Sequence, residues 1–463
     1  MPRLLLIFLT VLAVLATSFE SAVAQDAGAE RPQNVILFIP DGFGPAVATF
    51  ARDYKRDYLG EGASLVMDGI EVGSVRTWST DSRVTDSAAG ATAYAAGVKT
   101  YNGAISVDTL QRPLGTILQG AKARGMATGV VSTARVTHAT PAAFTANVPS
   151  RDMENEIARQ QLDLGPDLII GGGRRFYEPE NDGGRRTDGV NLFDVARERG
   201  YSVANEWADL QNVQSLPVLS LLNSSHLPFE IDRDAAREAS LPELTEKALE
   251  LLAADGRPFF VMIEAGRIDH GSHANDPQAT LHETLAYDAA IEVALRFARA
   301  DGNTLIVGVS DHETGGMTLG RNVDGRSIYG WEPEVIARVQ ASQEQIVRRM
   351  LEGDTPPAVL LQSLAGIDDL TEAEAALLEV SAGSSGHLTS AVSGIISRRA
   401  RIGWTTNGHT AVDVKLHAFG PGSDRFVGNY ENAYVGRTLA DLLNIDLDAL
   451  TDQLRAEAAV DSR

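Results

Sequence analysis

Cysteine is absent from all 463 residues. That excludes a disulfide framework, thiol catalysis and thiolate metal sites, so any bound metal must be held by His, Asp, Glu or hydroxyl groups. Beyond the N-terminus no run reaches the roughly 20 apolar residues a membrane span needs. No internal repeat or low-complexity tract is present. Positive charge is in deficit: 40 Lys and Arg stand against 62 Asp and Glu, a net charge of −22. Such a surface repels nucleic acid and anionic lipid, so no nucleic-acid partner is expected. A protein that handles anions in this setting needs local positive charge, from bound cations or from arginine. Histidine is scarce, with nine residues, so any clustering of them carries weight.

What is present starts with a leader. Arg3 is a short basic start, residues 4–16 are apolar, and Ala22-Val23-Ala24 offers small residues for cleavage. This pattern predicts a signal peptide over 1–24, a flexible leader over 25–33, and a periplasmic or secreted protein with no membrane span after cleavage. With 44% hydrophobic residues, the remainder can bury a large core. Short β-rich apolar runs fall at 34–39, 126–132, 167–170, 259–264, 303–310 and 414–419. Amphipathic helical stretches such as 244–253 and 281–298 lie between them. Alternating strands and helices predict an α/β domain over 34–463, with a parallel or mixed sheet covered on both faces. The stretch 315–400 starts in glycine, turns helical and charged, then Ser/Gly-rich, and reads as a mainly helical insertion or cap.

Three of these strands end in a carboxylate followed by a turn: Asp41 after 34–39, Glu264 at the end of 259–264, and Asp311-His312 after 303–310. Ligands of open α/β sheets bind beyond the carboxyl ends of the strands. One strand-end Asp alone is more often a helix cap. Three together, with histidines attached, form a metal-site pattern. Asp269 and His273 follow Glu264 at i, i+4 spacing, which places both on one face of a helical turn as ligands to one ion. His409, in the loop Asn407-Gly408-His409-Thr410, is promoted by this context. His138 and His270 also lie in these segments. His226, His282, His387 and His417 have no ligand-like neighbours in sequence and read as ordinary.

Ser87 opens a run of small, helix-compatible residues that reaches Gly97. A serine at a helix N-terminus meets unpaired N–H groups and a dipole that favours an anion. Asp86-Ser87 is on its face a helix cap. No G-x-S-x-G elbow surrounds Ser87, so as a nucleophile it would be activated by metal rather than by a His-Asp pair.

The chain resembles the alkaline phosphatases over nearly all of its length after the leader. The resemblance rests on motifs in family order: NVILFIPDGFG at 34–44, TDSAAGATAYAAG at 85–97, STARVTHATPAAFTANVPSR at 132–151, EAGRIDHGSH at 264–273, SDHETGG at 310–316 and NGHT at 407–410. It implies a three-layer sandwich with a large, mostly parallel central sheet and a mainly helical insertion. It implies hydrolysis of phosphate monoesters through a phosphoserine at Ser87, releasing inorganic phosphate. Asp269, His273 and His409 would hold one Zn2+, and Asp41, Asp311 and His312 a second. Asp41, Thr140 and Glu264 would hold a third ion, for which oxygen ligation suits Mg2+. Arg151, positioned by Asp86, would grip phosphate oxygens with its planar fork. His138 and His270 stand where some bacterial members carry Asp and Lys; their implied role is to tune the third metal and the bound phosphate from just outside. The family is often dimeric, so a homodimer is the implied assembly.

Two alternatives remain. A phosphodiesterase of the same superfamily resembles a form with a threonine nucleophile and no third metal; Ser87, Thr140, Glu264 and Arg151 argue for monoesters. Sulfatases require a C/S-x-P-x-R site that does not occur at Ser87. A non-catalytic exported protein that binds metal or phosphate would show stoichiometric binding without turnover.

Overall fold

After Asn34, the strand Asn34–Ile39 (β1) is an uninterrupted apolar run, and every residue of it is buried in the computed structural model of the chain. That is the pattern of an inner strand covered on both faces. The structure describes residues 31–461 apart from 61, 63, 323 and 324. The expected signal peptide at 1–24 and residues 25–30 of the expected leader lie outside the described residues.

The remaining strands follow in chain order: Glu71–Arg76 (β2), Ala127–Arg135 (β3), Leu168–Gly172 (β4), Ser202–Val203 (β5), Val218–Asn223 (β6), Phe259–Glu264 (β7), Thr304–Val309 (β8), Glu313–Thr314 (β9), Thr318–Leu319 (β10), Ile402–Gly403 (β11), His409–Thr410 (β12), Val414–Phe419 (β13) and Gly428–Glu431 (β14). Ten of them form one sheet in the order β14-β2-β13-β8-β1-β7-β3-β4-β6-β5. Only β13 runs antiparallel to its neighbours in that sheet; the other pairs are parallel.

Alternate residues of β1 enter different cores, as the two-residue period of a strand requires. Ile36 and Phe38 join an apolar cluster with Phe50, Tyr287 and Ile396. Val35, Leu37 and Ile39 join another with Tyr94, Phe144 and Leu439. Helices therefore cover both faces, and the chain is a three-layer α/β sandwich around a mostly parallel sheet. Between β10 and β11 lie five helices, Pro333–Ala337, Gln343–Glu352, Pro357–Ala365, Glu372–Ser381 and Ser385–Ala400. Their buried Ile336, Ile346, Leu361 and Val392 belong to the same cluster as Phe38. Among the described residues no helix is long and apolar enough to cross a membrane.

The register sets up the functional edge. Ile39 pairs with Glu264, and Glu264 with Ser132, so β1, β7 and β3 end in one row. Asp41 and Asp311 lie just past the ends of β1 and β8, at the same edge.

Candidate active site

The turn after β1 needs a glycine. Gly42 has φ 75°, and a Cβ there would sit 2.8 Å from the Asp269 Cα. The turn can therefore press Asp41 against the helix Arg267–His273 that follows β7. Phe43 N donates to Ser310 Oγ at 2.9 Å, which ties this turn to the end of β8. Asp41, Glu264, Asp311 and His312 are wholly buried at the edge so formed, and Asp269 is nearly so.

Each of the three histidines here has one ring nitrogen engaged by a fixed oxygen. His409 Nδ1 faces Thr85 O at 2.9 Å, and His273 Nδ1 faces Asn407 O. His312 Nδ1 faces Thr314 Oγ1 at 3.1 Å, and Thr314 gives its own proton to Asp269 Oδ1 at 2.6 Å. In all three cases the oxygen partner favours a proton on Nδ1, which leaves Nε2 as the inward-facing atom available to a metal. Outer partners of this kind commonly orient imidazoles that bind a metal.

Those Nε2 atoms converge. His409 Nε2 and His273 Nε2 are 3.1 Å apart, with Asp269 oxygens 3.3 Å from the latter and 3.7 Å from the former. His312 Nε2 lies 3.2 Å from Asp311 Oδ2 and 3.5 Å from Asp41 Oδ1. Ligand atoms within 4.8 Å of one another form three groups: Asp269/His273/His409, Asp41/Asp269/His312 and Asp41/His138/Glu264. The first matches the expected set. In the second, Asp269 takes the place given to Asp311. The His312 and His409 rings stack with centroids 3.5 Å apart, and Asp269 belongs to the group of each, while Asp311 Oδ2 stays 3.2 Å from His312 Nε2. In the third, His138 reaches in where a position outside the group was expected. Thr140 is adjacent, donating to Asp41 Oδ2 at 3.4 Å.

The electrostatics are those of a site built for cations. Asp41 Oδ1, Glu264 Oε1 and Asp311 Oδ2 are buried without a hydrogen-bond partner, an arrangement that costs free energy unless something compensates it. Burial, and then the charge of Asp269, push Asp311 up to about 8. Burial pushes Glu264 up to about 7 against its hydrogen bonds to Ser132 and Thr140. Burial and the neighbouring carboxylates raise Asp41 as well. His273 behaves in the opposite sense: burial works against its charged form, but Asp269 draws it up to about 9, a proton standing where a cation would otherwise sit. Asp and His ligands in closely spaced groups suit Zn2+, and the more oxygen-rich third group suits Mg2+, so the donor set fits the implied ions.

Ser87 begins the helix Ser87–Ala96, and Asp86 is its N-cap. The Ser87 Oγ is 3.1 Å from His312 Nε2, which places the hydroxyl against the second group. Asp86 Oδ2 also binds Arg151 Nη1 at 3.0 Å. Arg151 Nη2 in turn faces His138 Nε2 at 3.0 Å. The nucleophile candidate, the arginine and the third group are thus connected side chain to side chain.

Sequence reasoning missed three residues here. Thr314 fixes both Asp269 and His312; it is placed by the pairing of β9 with β12, where His409 stands opposite Thr314. Ser132 donates to Glu264 Oε2 from the aligned end of β3. The reading of His226 as ordinary is corrected: its ring centroid lies 4.2 Å from that of His270 and 5.7 Å from that of His138. His226 follows β6, a strand the apolar runs did not reveal; recognising that strand would have placed His226 at the same sheet edge. His270 also meets Arg267 Nη1 through its Nδ1 at 3.3 Å.

The sequence profile of the alkaline phosphatase family matches residues 32–445. The repressible alkaline phosphatase of Saccharomyces cerevisiae is 36% identical over 96% of this chain and 87% of the yeast protein. A cold-active alkaline phosphatase from a Shewanella species superposes with a TM-score of 0.81 at 35% identity, over 89% of this chain and 99% of that one. A variant of the TAB5 alkaline phosphatase, with a histidine replaced by glutamate and described with Mg bound in the M3 site, gives a TM-score of 0.66 at 27% identity, over 90% of this chain and 99% of that one. With a family profile running from the start of β1 to beyond β14, and this edge of buried acids and inward-facing imidazoles, the chain belongs to the alkaline phosphatases, metal-dependent phosphatase enzymes.

Proposed function

We propose that this chain hydrolyses phosphate monoesters by attack of Ser87 on phosphorus, releasing inorganic phosphate. The observation that carries the reading is the placement of the Ser87 hydroxyl 3.1 Å from His312 Nε2, at the start of a helix and beside the Arg151–Asp86 pair. Zn2+ held by Asp269, His273 and His409, Zn2+ held by Asp41, Asp311 and His312, and Mg2+ near Asp41, Thr140, Glu264 and His138 would neutralise phosphoryl charge and lower the pKa of the hydroxyl and of water.

The protein's own groups supply positioning. The helix that starts at Ser87 directs its first-turn amides and dipole toward the phosphoryl oxygens. Arg151 presents a planar pair of donors to the same oxygens, and Asp86 holds that fork in place. Attack by Oγ forms the phosphoserine and expels the alcohol. Water then attacks phosphorus from the vacated side, and Ser87 is regenerated. Little other covalent machinery is needed, because phosphoryl transfer depends on orientation and charge neutralisation.

The leader pattern at 1–24 supports export to the periplasm or medium, with residues 315–400 as a cap on the 34–463 domain and a homodimer as the assembly. The deciding experiment is Ser87→Ala. Turnover of an aryl phosphate should fall to background while metal content by elemental analysis stays unchanged; normal turnover would overturn the mechanism. A diester and a sulfate ester assayed alongside separate monoesterase from diesterase activity. Phosphate binding without turnover by the native protein would instead favour a storage role.

A further inference from the structure

The catalytic edge does not stop at the metal ligands. In the sheet order, β7, β3, β4 and β6 are consecutive; Arg135 is the last residue of β3, and the segments past β7, β4 and β6 carry Arg267, Arg175 and His226. These residues form a shelf. The Arg135 and Arg175 guanidinium carbons lie over the same Phe176 ring, 5.8 and 5.0 Å from its centroid. Arg135 Nη1 faces His226 Nε2, and the His226 ring packs on His270. Arg267 stacks on Phe229 with its guanidinium carbon 3.6 Å from the ring centroid. His138, which meets both His226 and His270, connects the shelf to Arg151.

The charges on this shelf are not balanced. Arg135 is neutralised by a two-point contact with Glu154 at 2.8 and 3.0 Å. Arg267 has a partner 3.2 Å away in Glu344, whose side chain is 69% exposed, so solvent weakens that pair. Arg175 has no ion-pair partner among the described residues. Its Nε is buried and unpartnered, as is the Nε of Arg267, a residue only 6% exposed. Burial depresses the Arg175 pKa, with Arg135 and Arg185 adding to this and the charge of Glu154 opposing it. In a protein of net charge −22, an arginine left without a carboxylate partner beside this edge, and a second whose partner is largely solvated, need a reason. Core packing accounts for the stems over Phe176 and Phe229, but not for two buried guanidinium nitrogens that lack acceptors.

We infer that this shelf is a second anion site, which receives a further phosphoryl group on the leaving-group side of the substrate, so that bisphosphorylated compounds are preferred over singly phosphorylated ones. The inference rests on the monoesterase reading above. Arg151 takes the phosphoryl group that is transferred, while Arg175, supported by the charge of Arg267, takes the one that is not.

The test compares butanediol bisphosphate with butyl phosphate on the metal-loaded enzyme and on Arg175→Ala, Arg175→Lys and Arg175→Glu. Removing one charged contact should lower kcat/KM for the bisphosphate about tenfold, mainly through KM. Butyl phosphate should be nearly unaffected. Arg175→Lys should restore much of the loss, Arg175→Glu should deepen it, and added salt should shrink the native enzyme's preference. Equal losses on both substrates, or no loss on either, would overturn the second site and leave the monoesterase reading standing. A native enzyme that turned over neither substrate would overturn both.

Discussion

Asp86 accepts a hydrogen bond from Arg151 Nη1 on one carboxylate oxygen and from Ala89 N on the other, each at 3.0 Å. One side chain thus sets the start of the helix that carries Ser87 and the orientation of the Arg151 guanidinium. Gly103 N donates to Asp86 as well, at 3.0 Å. Asp86→Ala should cost about 1 kcal/mol of stability for the lost cap and free Arg151 to move. The expected kinetic result is a several-fold rise in KM for an aryl phosphate and a matching rise in Ki for inorganic phosphate. Steady-state kinetics with product inhibition, together with thermal unfolding, measure both.

Gly90 tests how closely the nucleophile helix must approach the end of β8. A Cβ there would meet Asp311 O at 2.9 Å and Asp311 Cβ at 3.0 Å. Helix propensity alone would make Gly90→Ala stabilising by about 1 kcal/mol. The contact predicts the opposite sign, a loss of about 1–3 kcal/mol from overpacking, with activity falling because Ser87 and Asp311 are pushed apart. Thermal unfolding and turnover on one preparation decide between the two.

Metal removal should destabilise the enzyme as well as inactivate it. Asp41, Asp269, Asp311 and Glu264 crowd one buried edge, and three of these carboxylates each have an oxygen without a partner. An ion that binds only the folded state adds stability by mass action. Chelation should lower the Tm by several degrees and abolish turnover, and Zn2+ with Mg2+ should restore both. Calorimetry with and without chelator checks this.

His138 contributes the one nitrogen in the third group, beside Asp41 and Glu264. Replacing it with a carboxylate makes the group all-oxygen, which favours Mg2+. His138→Asp should therefore bind Mg2+ more tightly, read by titration of activity and by calorimetry. It also removes the neighbour of Arg151 Nη2, so KM is expected to change alongside.

Glu283 supplies a pH dependence remote from the metal ligands. Burial in the helix Pro277–Asp301 pushes its carboxyl from 4.5 up to about 8, opposed by the hydrogen bond from Glu230 N and the charge of Arg267, and assisted by Glu230 and Asp232. A folded pKa above the unfolded one means the folded state binds the extra proton. That contribution is complete below about 4.5 and is lost as pH rises toward 8. Relative to Glu283→Gln, the native protein should lose up to about 1.4 kcal/mol per pH unit across this window. Tm measured at intervals for both proteins tests the sign; parallel curves would remove Glu283 from the account.

Apolar runs made β1, β7, β8 and β13 legible, because inner strands buried on both faces leave continuous hydrophobic sequence. The partly exposed β2 leaves no such trace: its sequence is EVGSVR, with only Val75 buried. β3 continues through Thr133 and Ala134 to Arg135, beyond the apolar stretch that announced it. In the site, strand-end acids and the i, i+4 pair could be read locally. Thr314 could not, since its part depends on the β9–β12 ladder, nor could His226, whose contact with Arg135 spans 91 positions of chain.

The ladder that sets His409 opposite Thr314 has a consequence for biosynthesis. Asp41 is delivered by the first strand and His409 by a two-residue strand close to the other end of the chain. A ribosome must therefore release the chain through His409 before this imidazole can arrive. Until then the Asp269, His273 and His409 group lacks one of its three inward-facing atoms, and it closes only once Thr85 and His409, 324 positions apart, have met.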